Sequence, residues 1–180
     1  MKKYKGIRVK FVASVSILAA ACCLAACQPS ASTQGGQRPD RDPNAAVAAI
    51  RAAGAKLESS VEVKPLRDPA VDGLLKQARD LEAQGQPAQA LDVVRRAEKI
   101  AANAPDLIQY EAELLIGTHD WKSAAVAAQR SWELGPKVGA LCARNQQTLV
   151  ETRTMLGDSG GATQARTQLA ACNVPAPARY

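Results

Sequence analysis

Aromatic side chains make up only 3% of this 180-residue chain, so its core must be built mainly of Ala, Leu and Val. Histidine occurs once, as His119. HExxH, GxSxG, a Gly-rich phosphate loop and a cluster of metal ligands are all missing. The carboxylates are scattered over helix faces, with nothing that marks a catalytic pair. The expectation is therefore no enzyme, no metal and no cofactor, with His119 a solvated turn residue beside Asp120 and Trp121. Long apolar runs are lacking too. Phe11 to Ala21, broken by Ser14 and Ser16, spans about 16 Å as a helix, half a bilayer's hydrocarbon core. Finally, a basic excess is more apparent than real. The chain has 23 Lys+Arg and 17 Asp+Glu, net +6, but five of those cations and no acid lie in the first ten residues. The remainder is nearly neutral, 18 − 17 = +1, with no clustered basic face to suit nucleic acid.

What is present begins with those cations. Lys2, Lys3, Lys5, Arg8 and Lys10 precede the short apolar stretch, and small residues follow it, as in a secretory signal. The boundary Leu24-Ala25-Ala26-Cys27 resembles the bacterial lipobox. The resemblance implies a signal peptide over residues 1–26 and a Cys27 that carries diacylglycerol and an N-acyl chain. In that family an Asp after the Cys retains the protein in the inner membrane. Gln28 therefore implies an outer-membrane lipoprotein facing the periplasm. Residues 28–43 read QPSASTQGGQRPDRDP, without an apolar residue larger than Ala, and suit a flexible tether after the lipidated Cys27.

The rest reads as all-α. Over 44–69 we expect a short helix with Asn44 as its N-cap, weakened by Gly54, and then an extended strap through Pro65 and Pro69. The main domain is expected over 70–174, followed by an irregular tail, 175–180. Its helices fall at about Pro69–Gln84, Pro87–Ile100, Asp106–Ile116, Trp121–Leu134, Ala140–Leu156 and Gly161–Cys172. Gly85, Gly117 to Asp120, Gly135-Pro136 and Gly157 to Gly160 punctuate them. That makes about three antiparallel hairpins.

Ala90 and Ala124 stand 34 residues apart, each a few residues past a turn and seven before a second small residue, Ala97 or Ser131. His119 to Pro136, HDWKSAAVAAQRSWELGP, resembles the second half of a tetratricopeptide repeat. Ala124 sits at the helix crossing, Ser131-Trp132 is the small-large pair, and Pro136 is the closing proline. Val71 to Ala104 matches at Gly85, Ala90, Val94 and Ala97; a third repeat fits with a longer first helix and Ala162 at the crossing. The family's Trp and Leu-Gly near the repeat start are missing from the first two repeats. The resemblance implies a concave groove lined by the first helix of each pair. The groove residues would be Leu75, Arg79 and Glu82, then Asp106, Gln109 and Glu113, then Arg144, Gln147 and Glu151. Such a groove suits a peptide or protein segment.

Cys142 lies about 16 residues before the third turn and Cys172 about 14 after it, so an antiparallel pair brings them to one level. An oxidising compartment then favours a disulfide. The function expected is a lipid-anchored adaptor that holds another envelope protein or peptide. A periplasmic enzyme or enzyme activator on the same scaffold, and a pilot lipoprotein for an outer-membrane subunit, stay open.

Overall fold

The computed structural model describes residues 40–57 and 67–173. The signal, the lipobox with Cys27, the tether up to residue 39, the strap over 58–66 and the tail from 174 lie outside the described residues.

Among the described residues every regular element is a helix: α1 (Pro43–Ala55), α2 (Pro69–Ala83), α3 (Pro87–Ile100), α4 (Pro105–Gly117), α5 (Trp121–Leu134), α6 (Gly139–Met155) and α7 (Ser159–Ala171). None is long and apolar enough to cross a membrane. Their starts follow from local chemistry. Four begin with Pro, whose missing N–H costs nothing in a first turn. Four are capped by Asp. Asp42 accepts from the Asn44 amide at 2.9 Å and Asp68 from Ala70 at 2.8 Å; Asp120 accepts from Ser123 at 3.0 Å and Asp158 from Gly161 at 2.8 Å. Two expectations are corrected here. Asn44 is not the cap of α1; Asp42 is, which leaves Asn44 in the first turn. The last helix begins at Ser159 rather than Gly161, because the Asp158 cap draws Ser159 and Gly160 into its first turn.

The helices pair as hairpins, α2 with α3, α4 with α5 and α6 with α7, and the hairpins stack through α3 on α4 and α5 on α6. The molecule is thus an all-α array of helical hairpins. Helices α3 and α5 start 34 residues apart, at Pro87 and Trp121. The hairpin turns place residues 85, 119 and 157 in left-handed backbone, at φ +73, +64 and +78. Glycine takes that conformation freely; His119 takes it at a cost of about 1 kcal/mol or more.

Small residues sit where the helices touch. Ala90, Ala97, Ala124, Ser131, Ala162 and Ala165 are all buried, which permits close interaxial approach. Around them pack Val71, Leu75, Val94, Leu107, Ile108, Leu114, Ile116 and Leu149. Helix α6 has 17 residues against 13 in α4. It meets α1, α4, α5 and α7. Enclosed on so many sides, it buries Asn145, Gln146, Thr148 and Thr152 as well as its apolar residues.

The seven helices of the described residues belong to one compact unit. Helix α1 lies within it. It lies on α6 and touches α4.

Candidate functional site

Helix α1 rests on α6 and α4, on the side that carries Glu113, Arg144 and Glu151, and reaches α2 through Arg51. Helix α1 runs antiparallel to α6. Arg41, just ahead of α1, pairs with Glu151 near the end of α6 at 2.6 Å, while Gly54 near the end of α1 meets Arg144 and Ala140 at the start of α6. Ala46, Ile50 and Gly54, spaced by four, are its buried stripe. Gly54 has a packing reason. A Cβ there would stand 2.7 Å from Arg144 Cγ and 3.3 Å from the Ala140 carbonyl oxygen. The glycine that weakens α1 as a helix is what lets the Arg144 stem pass beneath it.

Glu113 is the centre. Its side chain is 0% exposed. Arg51 Nε donates to Oε2 at 2.9 Å. Arg144 Nη2 and Nε donate to Oε1 at 2.6 and 2.9 Å, and Gln109 Nε2 donates at 3.0 Å. One carboxylate thereby ties α1, α4 and α6 together. Gln109 also donates to Thr148 Oγ1 at 2.8 Å. Arg51 reaches onward to Glu82 on α2 at 2.7 Å, and Glu82 accepts from the Tyr110 hydroxyl at 2.9 Å. Glu151 further accepts from Gln147 at 2.8 Å, and Arg67 pairs with Asp106. Burial works against the charge on Arg51, but Glu113 and Glu82 outweigh it and hold its pKa above the ordinary value. Burial, followed by the adjacent Glu82 carboxylate, pushes the Tyr110 phenol up.

Of the nine expected groove positions, Glu82, Glu113, Arg144, Gln147 and Glu151 gather around α1 and Arg41, with Gln109 supporting Glu113. Asp106 engages Arg67 instead, and Arg79 is exposed. Leu75 departs from expectation: it belongs to the hydrophobic core and offers no groove surface. The face is also not open, because the chain's own helix occupies it. Sequence reasoning missed Arg41, Arg51, Arg67 and Gly54. The available signal was Arg51, a lone cation beside the Ala46-Ile50-Gly54 stripe of an otherwise alanine-rich helix.

The seat of α1 is modest in energy. Ile50 is its one large fully buried side chain, and burial of that size contributes about 1.5–3 kcal/mol. Arg51 and Arg41 remain 44% and 39% exposed, and half-exposed ion pairs contribute about 1 kcal/mol or less each.

Cys142 and Cys172 are joined, with Sγ atoms 2.02 Å and Cα atoms 5.7 Å apart. The bridge ties the start of α6 to the end of α7 and packs with Ala53 and Leu57 at the α1 end. Beside it, a cavity of about 490 Å³ opens between α1, the middle of α6 and the end of α7, lined by Ala49, Ala53, Leu57, Gln147 and Leu169. A second cleft of about 440 Å³ lies between α3, α4 and α5, around Arg95, Glu111, Lys122 and Val126. His119 lines neither and stands exposed at its turn.

Close to the second cleft Glu98 titrates near 7, raised first by burial and then by the neighbouring Glu111 carboxylate. Arg95 Nε holds Glu111 at 2.8 Å. Among the described residues no group of three or more His, Cys, Asp or Glu is placed to hold a metal ion.

Fold and site together define a class, an array of helical hairpins in which acids of α2, α4 and α6 pair with arginines of and beside the chain's own α1. No protein-family model matches the chain, and no curated protein matches it.

Proposed function

We propose that this protein is a non-enzymatic adaptor, anchored to the outer membrane through Cys27, whose inner face holds a helical segment of another envelope protein. The observation that carries this reading is the seat of α1. Carboxylates from three helices, Glu82 on α2, Glu113 on α4 and Glu151 on α6, converge on one helical segment and the Arg41 that precedes it. A face built that way suits helix-in-groove recognition, in which stripe residues give contact and fixed charges give register. The tetratricopeptide resemblance supports the same face, and the lipobox supports the location. A partner reaches the face beside α1, at exposed Arg79, or in place of α1.

A photo-crosslinking side chain at position 79 tests this in cells. The expected result is a discrete adduct with an envelope protein that is lost when Glu82 is reversed in charge. Equal crosslinking with Glu82→Lys, or no adduct at position 79 and at position 147, overturns the groove reading. For the anchor, Cys27→Ser is expected to leave unprocessed precursor; normal processing would reject the lipobox.

A further inference from the structure

We infer that the partner of this groove is an arginine-bearing, alanine-rich helix of another protein, and that α1 is its intramolecular competitor. The inference rests on the groove reading above and names the chemistry of its ligand. Four acids of the inner face, Glu82, Asp106, Glu113 and Glu151, each take an arginine from the stretch that begins at Arg41 and ends at Arg67. Without that stretch only Arg144 would face Glu113 among these pairs, and the other three acids would lose their arginine partners. The face therefore carries four acids against its own Arg79 and Arg144, and the occupant supplies the arginines for the rest.

The occupant's shape is set as closely as its charge. At Gly54 the approach is too tight for a Cβ without moving Arg144. At Ala46 the seat is fully closed, and only at Ile50 does it take a large side chain. A ligand thus needs a small residue, a branched apolar residue four later, an arginine at the next position and a glycine three beyond that. The fork of the arginine meets carboxylates on two different helices, α2 and α4, a geometry a lysine's single ammonium does not reproduce.

Helix α1 holds this seat by proximity as much as by contact. As part of the same chain it acts at an effective concentration of roughly millimolar or higher. Its anchoring is one buried Ile and half-exposed arginines. A helix with the same arginine and a larger apolar stripe at its ends would gain the apolar cavity of about 490 Å³ beside Leu57 and Leu169, which α1 leaves unfilled.

The test uses a fluorescent peptide of residues 40–57 and the detergent-solubilised full chain. Anisotropy should show binding to the Ile50→Asp chain at least tenfold tighter than to the wild type, whose own α1 blocks the seat. A peptide carrying Arg51→Glu should lose at least tenfold. Circular dichroism and an intact Cys142–Cys172 bond establish that the variant is folded. Should Ile50→Asp fail that check, Gly54→Ala, whose Cβ meets Arg144 and the Ala140 carbonyl oxygen, replaces it. Equal binding of the Arg51→Glu peptide overturns arginine recognition. No binding to any folded variant overturns the competitor role and makes α1 a fixed part of the domain. A wild-type dimer held by exchanged α1 overturns the assignment to another protein. Capture of an envelope protein at position 79 with no peptide binding would sink this ligand chemistry alone; peptide binding with no capture would sink the adaptor role alone.

Discussion

Where α4 crosses α5, the buried positions on α5 are Ala124, Ala127, Ala128 and Ser131. Where α4 meets α1 and α6, the buried centre is a carboxylate, Glu113, held by two arginines and a glutamine. The two contacts lie on the same helix and solve opposite problems. The hairpin seam needs only small volume, so that two backbones approach. The inner face must satisfy a charge taken out of water, and does so with donors from elements far apart in sequence. Seams of the first kind tolerate most small apolar residues and punish size. A contact of the second kind tolerates little change of chemistry, because each lost partner leaves a buried charge.

The largest expected effect breaks the inner face. Arg144→Ala strips the fully buried Glu113 carboxylate of two of its charge-assisted donors, and loss of one partner from a buried charge pair costs about 3–5 kcal/mol. Urea melts at neutral pH should show that loss. A change of less than about 1 kcal/mol would mean that the inner face is as forgiving as a seam.

Next comes the bridge under the end of α1. Reduction of Cys142–Cys172, which closes a loop with sequence separation 30, is expected to cost about 3–4 kcal/mol in the chain-entropy model. Thermal scans with and without reductant check it, together with mass spectrometry of the intact protein. Free alkylation of both thiols in unreduced native protein would contradict the bridge.

The seam itself is tested by size. Ala124 is fully buried, so Ala124→Leu should cost about 1–3 kcal/mol through overpacking. Ala127 borders the second cleft, which gives a leucine there room, and Ala127→Leu should cost clearly less. Equal midpoints would place the crossing elsewhere on α5.

A smaller effect follows from Glu98. Its folded-state pKa near 7 lies above the ordinary 4.5, so the protonated form favours the native state. That contribution is full below about pH 4.5 and is lost as pH rises through 7. Glu98→Gln should flatten the decline and leave the variant more stable than wild type at pH 8. For a half-buried group the gain should be about 1 kcal/mol after solvent screening. A wild-type stability that does not fall between pH 5 and pH 8 in denaturant titrations contradicts this.

The smallest expected change is at the second hairpin turn. His119 occupies the left-handed conformation that Gly85 and Gly157 hold in the other two. His119→Gly relieves that strain but adds freedom to the unfolded chain, for a net gain of about 0.5 kcal/mol. A loss of stability instead would assign the histidine a contact beyond its turn.

Local chemistry made the array legible. Pro at helix starts, Asp caps, turn glycines and alanines 34 residues apart each act within a few residues of their own position, so helix limits and hairpin pairing follow from neighbours in the chain. Even the joining of Cys142 to Cys172 follows from their near-equal distance to one turn. The exceptions were local competitions, such as Asp42 outranking Asn44 as cap. What only the tertiary structure decided is the fate of the inner face. An alanine-rich segment with one arginine carries no pattern that names its seat, because Ala46, Gly54 and Ile50 say only that one side of α1 is buried. That Arg51 meets Glu82 and Glu113, 31 and 62 residues away, depends on where the stacking of three hairpins brings α2, α4 and α6. The same stacking encloses α6 and buries Asn145 and Gln146, residues that the sequence alone would leave in water.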